Sequence, residues 1–77
     1  MNELVRIVDD LETRAADYVT LAEVERALGR SAQAAIDEGL LLVDYRQRVD
    51  ARSGSLVPVT LCRLNRQHPL VRQLTAW

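Results

Sequence analysis

The chain has no phenylalanine and no lysine, and in 77 residues only one cysteine, one histidine, two prolines and three glycines. A lone cysteine, Cys62, excludes an internal disulfide and suits a reducing compartment. One cysteine and one histidine fall short of a structural zinc site, so no metal is expected. The glycines stand singly, at turns, and form no phosphate-cradling loop. No apolar run approaches the length of a membrane span. The first residues, "MNELVRIVDDLE", carry acids where a secretory signal begins basic, so a cytoplasmic protein is expected. Around His68 no serine, carboxylate or second histidine stands at a catalytic spacing. The expectation is therefore no enzyme, no catalytic residues, no cofactor and no small-molecule ligand.

What is present fits one small domain. Hydrophobic residues make up 48% of the chain, enough for a modest core that gains from a partner or a second copy. The net charge of −1 hides a strong asymmetry. Residues 1–44 hold four arginines and ten acids, a net of −6, whereas residues 45–77 hold six arginines and one acid, a net of +5. A basic second half points to a polyanion partner or to head-to-tail pairing of two copies. All ten basic residues are arginine, which suits phosphate recognition but also fits a GC-rich coding sequence.

Periodicity organises the chain. Leu4, Ile7, Val8, Leu11 and Ala15 recur at helical spacing, so residues 3–16 read as an amphipathic helix capped by Asn2. Val5 widens its stripe, as core edge or dimer contact. Asp9, Asp10 and Glu12 are expected to face solvent. Thr20 and Glu23 form a capping box for a second helix over 21–28. Val19 and Val24 are placed for a hydrophobic staple, Leu21, Val24, Ala27 and Leu28 are its buried face, and Gly29 is its stop. Ser31 then caps a short third helix over 32–38, with Ala32, Ala35 and Ile36 inward and Gly39 at its end.

From Leu40 the period changes to two. Leu41, Val43, Tyr45 and Val49 share one face of a strand over 40–49; Asp44, Arg46 and Arg48 share the other. A turn around Gly54 returns the chain through 57–64, where Pro58 should face an edge or a bulge. Cys62 shares a face with Thr60 and Leu64 as a small buried hydrophobe. Pro69 opens a last helix with Leu70, Val71, Leu74 and Trp77 as its stripe, and His68 caps it or packs at the hairpin base.

The order helix, helix, tight turn, helix, hairpin, helix resembles the winged helix-turn-helix family. "TLAEVERALGRS" is similar to its scanning helix and turn, and "IDEGLLLV" to the end of its recognition helix and first wing strand. "CRLNRQHPLVRQL" is similar to the segment after the wing in arsenical-repressor-like regulators. The resemblance implies an α+β, mainly α domain over residues 1–77: three helices, a β-hairpin wing and a C-terminal helix. It also implies binding to double-stranded DNA as a small transcription regulator, and a homodimer through the terminal helices. One departure matters. From Gly29 to Gly39 the chain is short of a full recognition helix by roughly two turns. The candidate DNA contacts are Arg30, Ser31 and Gln33 at the start of the third helix, and Arg46, Arg48 and Arg52 on the wing. Asp37 and Glu38 oppose phosphate approach. Two other readings stay open: a merely solvated arginine face, and a protein-interaction module in which the acidic first helix meets the basic wing of another chain.

Overall fold

The computed structural model describes residues 2–15 and 17–76. It is an α+β fold of four helices and a three-stranded antiparallel sheet. The elements follow in the order α1 (Asn2–Arg14), β1 (Val19–Thr20), α2 (Leu21–Leu28), α3 (Gln33–Asp37), β2 (Leu41–Val49), β3 (Leu56–Leu64) and α4 (Pro69–Leu74). The sheet order is β1-β3-β2. Trp77, part of the expected last stripe, and Ala16, the expected end of the first helix, lie outside the described residues.

One core joins the helices to the inner half of the sheet. Leu4, Val5 and Val8 of α1, Val19 of β1 and Val24 and Leu28 of α2 meet Ala32, Ala35, Leu40, Leu41, Cys62, Leu64 and Val71 there. Val5 is fully inside rather than at the stripe's edge. Ala27, expected on the buried face of α2, is exposed, because Val24 and Leu28 define the centre of that face and a methyl group at its margin is too short to reach the core.

Local chemistry sets the element ends. The Thr20 hydroxyl accepts from the Glu23 N–H, and the Thr20 N–H donates to the Glu23 carboxylate, so the capping box is closed in both directions. Gly39 follows α3 at φ 79°, where a side chain would be strained. Its N–H donates to the Ile36 carbonyl and that of Leu40 to the Ala35 carbonyl, the Schellman pattern. The helix before it is shorter than expected. Ala32, not Ser31, holds the N-cap position: it is buried, and its N–H donates to the Glu25 carboxylate on α2. Ser31 still accepts from the Gln33 N–H, the bond its expected cap role would make, although the helix itself starts one residue later. At α4, Pro69 occupies the first turn and His68 Nδ1 accepts the Leu70 N–H, so His68 is a cap.

Asn2 lies inside α1 rather than at its cap. Of the three acids expected to face solvent there, only Asp10 is exposed, paired with Arg14 on the helix surface; Asp9 and Glu12 turn toward Arg66 and the end of β3. The short strand β1 is an addition to the expected elements. It pairs Val19 with Cys62 and Thr20 with Leu61, which places β3 between two neighbours at its inner end only. The Leu64 N–H, on that side of β3 and past the end of β1, donates to Glu12. By the two-residue period Pro58 is turned the same way, beyond the reach of β1, so its missing donor faces an open edge.

Candidate nucleic-acid interface

The hairpin begins in the core and leaves it. Leu41 is buried and Val43 half-buried, but every later residue of β2 is exposed on both faces. The register pairs Leu41 with Leu64 and Val49 with Leu56. The molecule is correspondingly long, 44 × 24 × 23 Å.

The tip is built by Asp50. Its carbonyl accepts from the Gly54 N–H at 2.8 Å, and its N–H donates to the Ser55 carbonyl at 2.8 Å. Its carboxylate accepts from the Arg52 N–H and the Ser53 hydroxyl. The only acid of the basic half is thus spent on holding the turn, and the Arg52 side chain stands exposed beside it.

Arg46 and Arg48 lie on the same face of β2 as Asp44 and Leu42, opposite Val59 and Val57 of β3. Arg46 Nε donates to Asp44 Oδ2 at 2.7 Å, so its charge is partly answered within the strand. Arg48 and Arg52 make no ion pair among the described residues. Arg63 joins this face, opposite Leu42, and is exposed. It was not among the residues singled out from the sequence, although the alternation in "LCRL" turns it away from Cys62 and Leu64. At the hairpin base an open groove of about 530 Å³ lies between the end of α1 and this face, lined among others by Glu12, Tyr18, Leu42, Arg46 and Arg63.

The other candidates stand apart, at the turn between α2 and α3. Arg30 is exposed and 3.7 Å from Glu3 of α1. Ser31 is exposed, with its oxygen on the Gln33 N–H. Gln33 Nε2 donates to Asp37 Oδ1 at 2.9 Å, which ties up the amide donor that base reading would use. A helix of five residues, Gln33–Asp37, spans only about 7.5 Å. Arg48 is seven positions along β2 from Leu41, about 23 Å of strand. The fold therefore gathers Arg46, Arg48, Arg52 and Arg63 on one projecting ribbon and leaves Arg30, Ser31 and Gln33 on the body.

The acids of the first half behave differently from the arginines of the second. Glu3 approaches Arg30, Asp10 pairs with Arg14, and Asp9 and Glu12 both hold Arg66. The Asp9 and Glu12 carboxylates raise the Arg66 pKa further above its ordinary value and fix its charge. Cys62 lies under the same region. Burial, reinforced by Glu12, Glu23 and Glu25, pushes its thiol up from 9.0 to about 11, so it is an inert hydrophobe at neutral pH. Among the described residues no group of three or more His, Cys, Asp or Glu could hold a metal ion, and no helix is long and apolar enough to cross a membrane.

Comparison with family models, with curated proteins and with solved structures finds no match to this chain.

Proposed function

We propose that the chain is a DNA-binding protein of winged helix-turn-helix arrangement, a small transcription regulator that holds duplex DNA mainly through its basic wing. The order α1-β1-α2-α3-β2-β3-α4 supports the arrangement. The observation that carries the reading is the state of the wing charges. Arg48 and Arg52 stand exposed without an acidic partner among the described residues, on a hairpin that projects from the body. Guanidinium groups so placed meet phosphates along a groove and gain affinity by releasing counterions. Arg30 and Ser31 supply a second, weaker contact from the body. The short α3, with Gln33 engaged by Asp37, limits sequence reading, so affinity exceeds specificity.

The protein-interaction reading has less to rest on. The acids of α1 that another chain's wing would seek already face Arg14, Arg30 and Arg66 within this chain.

Fluorescence anisotropy against a mixed-sequence duplex tests the proposal, at low and at near-physiological salt. Micromolar, salt-sensitive binding that is lost in the Arg46→Glu/Arg48→Glu double variant is the expected result. Binding unchanged in that variant removes the wing from the interface, and no binding at low salt overturns the function.

A further inference from the structure

We infer that β2 is a self-pairing edge, and that two copies join through it in an antiparallel, two-fold contact centred on Tyr45. This goes beyond the DNA reading and does not depend on it.

The edge is open. In the order β1-β3-β2, no strand among the described residues pairs with the far side of β2. Its residues from Asp44 to Val49 are exposed, and it contains no proline. Edge strands of this length, left unblocked, are templates for another strand. Which groups point outward follows from the ladder. Asp50 donates to Ser55, and Asn65 donates to the Leu40 carbonyl, so the even positions of β2 bond to β3. The N–H and C=O of Val43, Tyr45, Gln47 and Val49 therefore face the open side. Along the same strand Tyr45 is 78% and Val49 64% exposed, an aromatic and a branched side chain left in water. Beyond the core the hairpin has only two strands, a marginal unit that a neighbour would support.

Charge selects both the partner and the register. A two-fold centred on Tyr45 sets Tyr45 against Tyr45 of the second copy with reciprocal backbone hydrogen bonds. It places Asp44 opposite Arg46 twice, in the close, non-hydrogen-bonded positions where side chains interact most. Val43 then faces Gln47, and Leu42 faces Arg48. Neighbouring registers fail. Centring on Gln47 puts Arg46 against Arg48 and Asp44 against Asp50. Centring on Arg46 gives two Asp44–Arg48 pairs but sets Arg46 against its own copy between them, and centring on Asp44 sets Asp44 against its own copy with no opposite-charge pair. Centring on Val43 overlaps only the first residues of β2 and makes no opposite-charge pair. Asp44 and Arg46 already meet at 2.7 Å within one strand, so the second copy closes them into a ring of four alternating charges. The terminal helices offer less for pairing, because Ile7, Leu11, Leu70 and Leu74 already pack against the core. The contact would leave the arginine face of both wings on one side of a continuous sheet.

Sedimentation equilibrium of the full chain without DNA, from micromolar to submillimolar concentration, tests this. The wild type should show a monomer–dimer equilibrium. Tyr45→Pro removes an outward N–H that the hairpin itself does not use, and should give a monomer with an unchanged circular-dichroism spectrum. Asp44→Arg alone and Arg46→Asp alone should each weaken the dimer roughly tenfold or more, and the Asp44→Arg/Arg46→Asp double swap should restore it. The restoration decides the matter even where Tyr45→Pro disturbs folding. A wild type that stays monomeric, or a dimer indifferent to the single reversals, overturns the inference. Duplex binding measured separately on the same proteins stands or falls on its own.

Discussion

Glu12 of α1 accepts the backbone N–H of Leu64 at 2.8 Å across 52 positions of sequence. The same carboxylate holds Arg66 through its other oxygen at 2.6 Å. One side chain thus anchors the first helix to the end of β3 and completes the edge where β1 stops short.

Removing that anchor should cost stability. Glu12→Ala leaves the Leu64 N–H of a 2% exposed residue without its partner and leaves Arg66 held by Asp9 alone. A loss of about 1–2 kcal/mol is expected for an amide stranded this way. Thermal unfolding should show a fall of about 4–8 °C per kcal/mol for a chain of this size. Glu12→Gln keeps an acceptor oxygen and should lose less. Equal melting of all three proteins would show that the amide finds water instead.

The capping box at α2 makes a second, local prediction. Thr20→Ala removes the acceptor for the Glu23 N–H at 3.2 Å and should destabilise by about 1 kcal/mol, whereas Thr20→Ser should restore most of it. Denaturant titration at constant m-value separates the two variants.

Cys62 should be silent at neutral pH and should limit stability in alkali. Its thiol titrates at about 11 in the folded chain against 9.0 in the unfolded one, so the folded state holds the proton more tightly. That contribution is complete below pH 9.0 and is lost as the pH rises through about 11. At pH 8 the folded thiolate population is about a hundredfold below that of the unfolded chain, and thiol-reagent labelling should slow accordingly. Fast labelling under native conditions would show an accessible cysteine.

The wing arginines should not contribute equally to duplex binding. Arg48→Ala and Arg52→Ala should each lower the salt slope by about 0.9 per phosphate contact removed. Arg46→Ala should lower it less, because Asp44 offsets its charge at 2.7 Å. Arg63→Ala tests whether the contact extends to the wing base. Anisotropy titrations over a salt series give each slope directly, and identical slopes would mean that phosphates do not sort these residues.

The helices and the hairpin were legible because their signals are local. The Thr20–Glu23 box, Gly29, Gly39 and Pro69 act on backbone within a few residues, and the alternation of 41–49 fixes side-chain faces without knowledge of the fold. The candidate site was legible only in part. Parity alone put Arg46 and Arg48 together on one face, yet it could not say that Asp44 would pair with Arg46 or that Asp37 would engage Gln33. The one-residue slip at α3 had a distant cause, since the Glu25 carboxylate takes the Ala32 N–H across the turn.

What the sequence determined by itself was therefore the four helices, the two long strands of the hairpin and the segregation of acids before arginines, each written in spacing and in single residues, but neither β1 nor the start of α3. Tertiary structure alone decided which charges remain free. Helix periodicity turns Asp9 and Glu12 toward solvent, but packing brings Arg66 and the Leu64 N–H from the far end of the chain to meet them. It likewise decided that β1 reaches only Leu61 and Cys62, because a two-residue strand pairs only where the α1–α2 connection brings it against β3. Neutralisation in the body and exposure on the hairpin are consequences of distance in space, which no local pattern encodes.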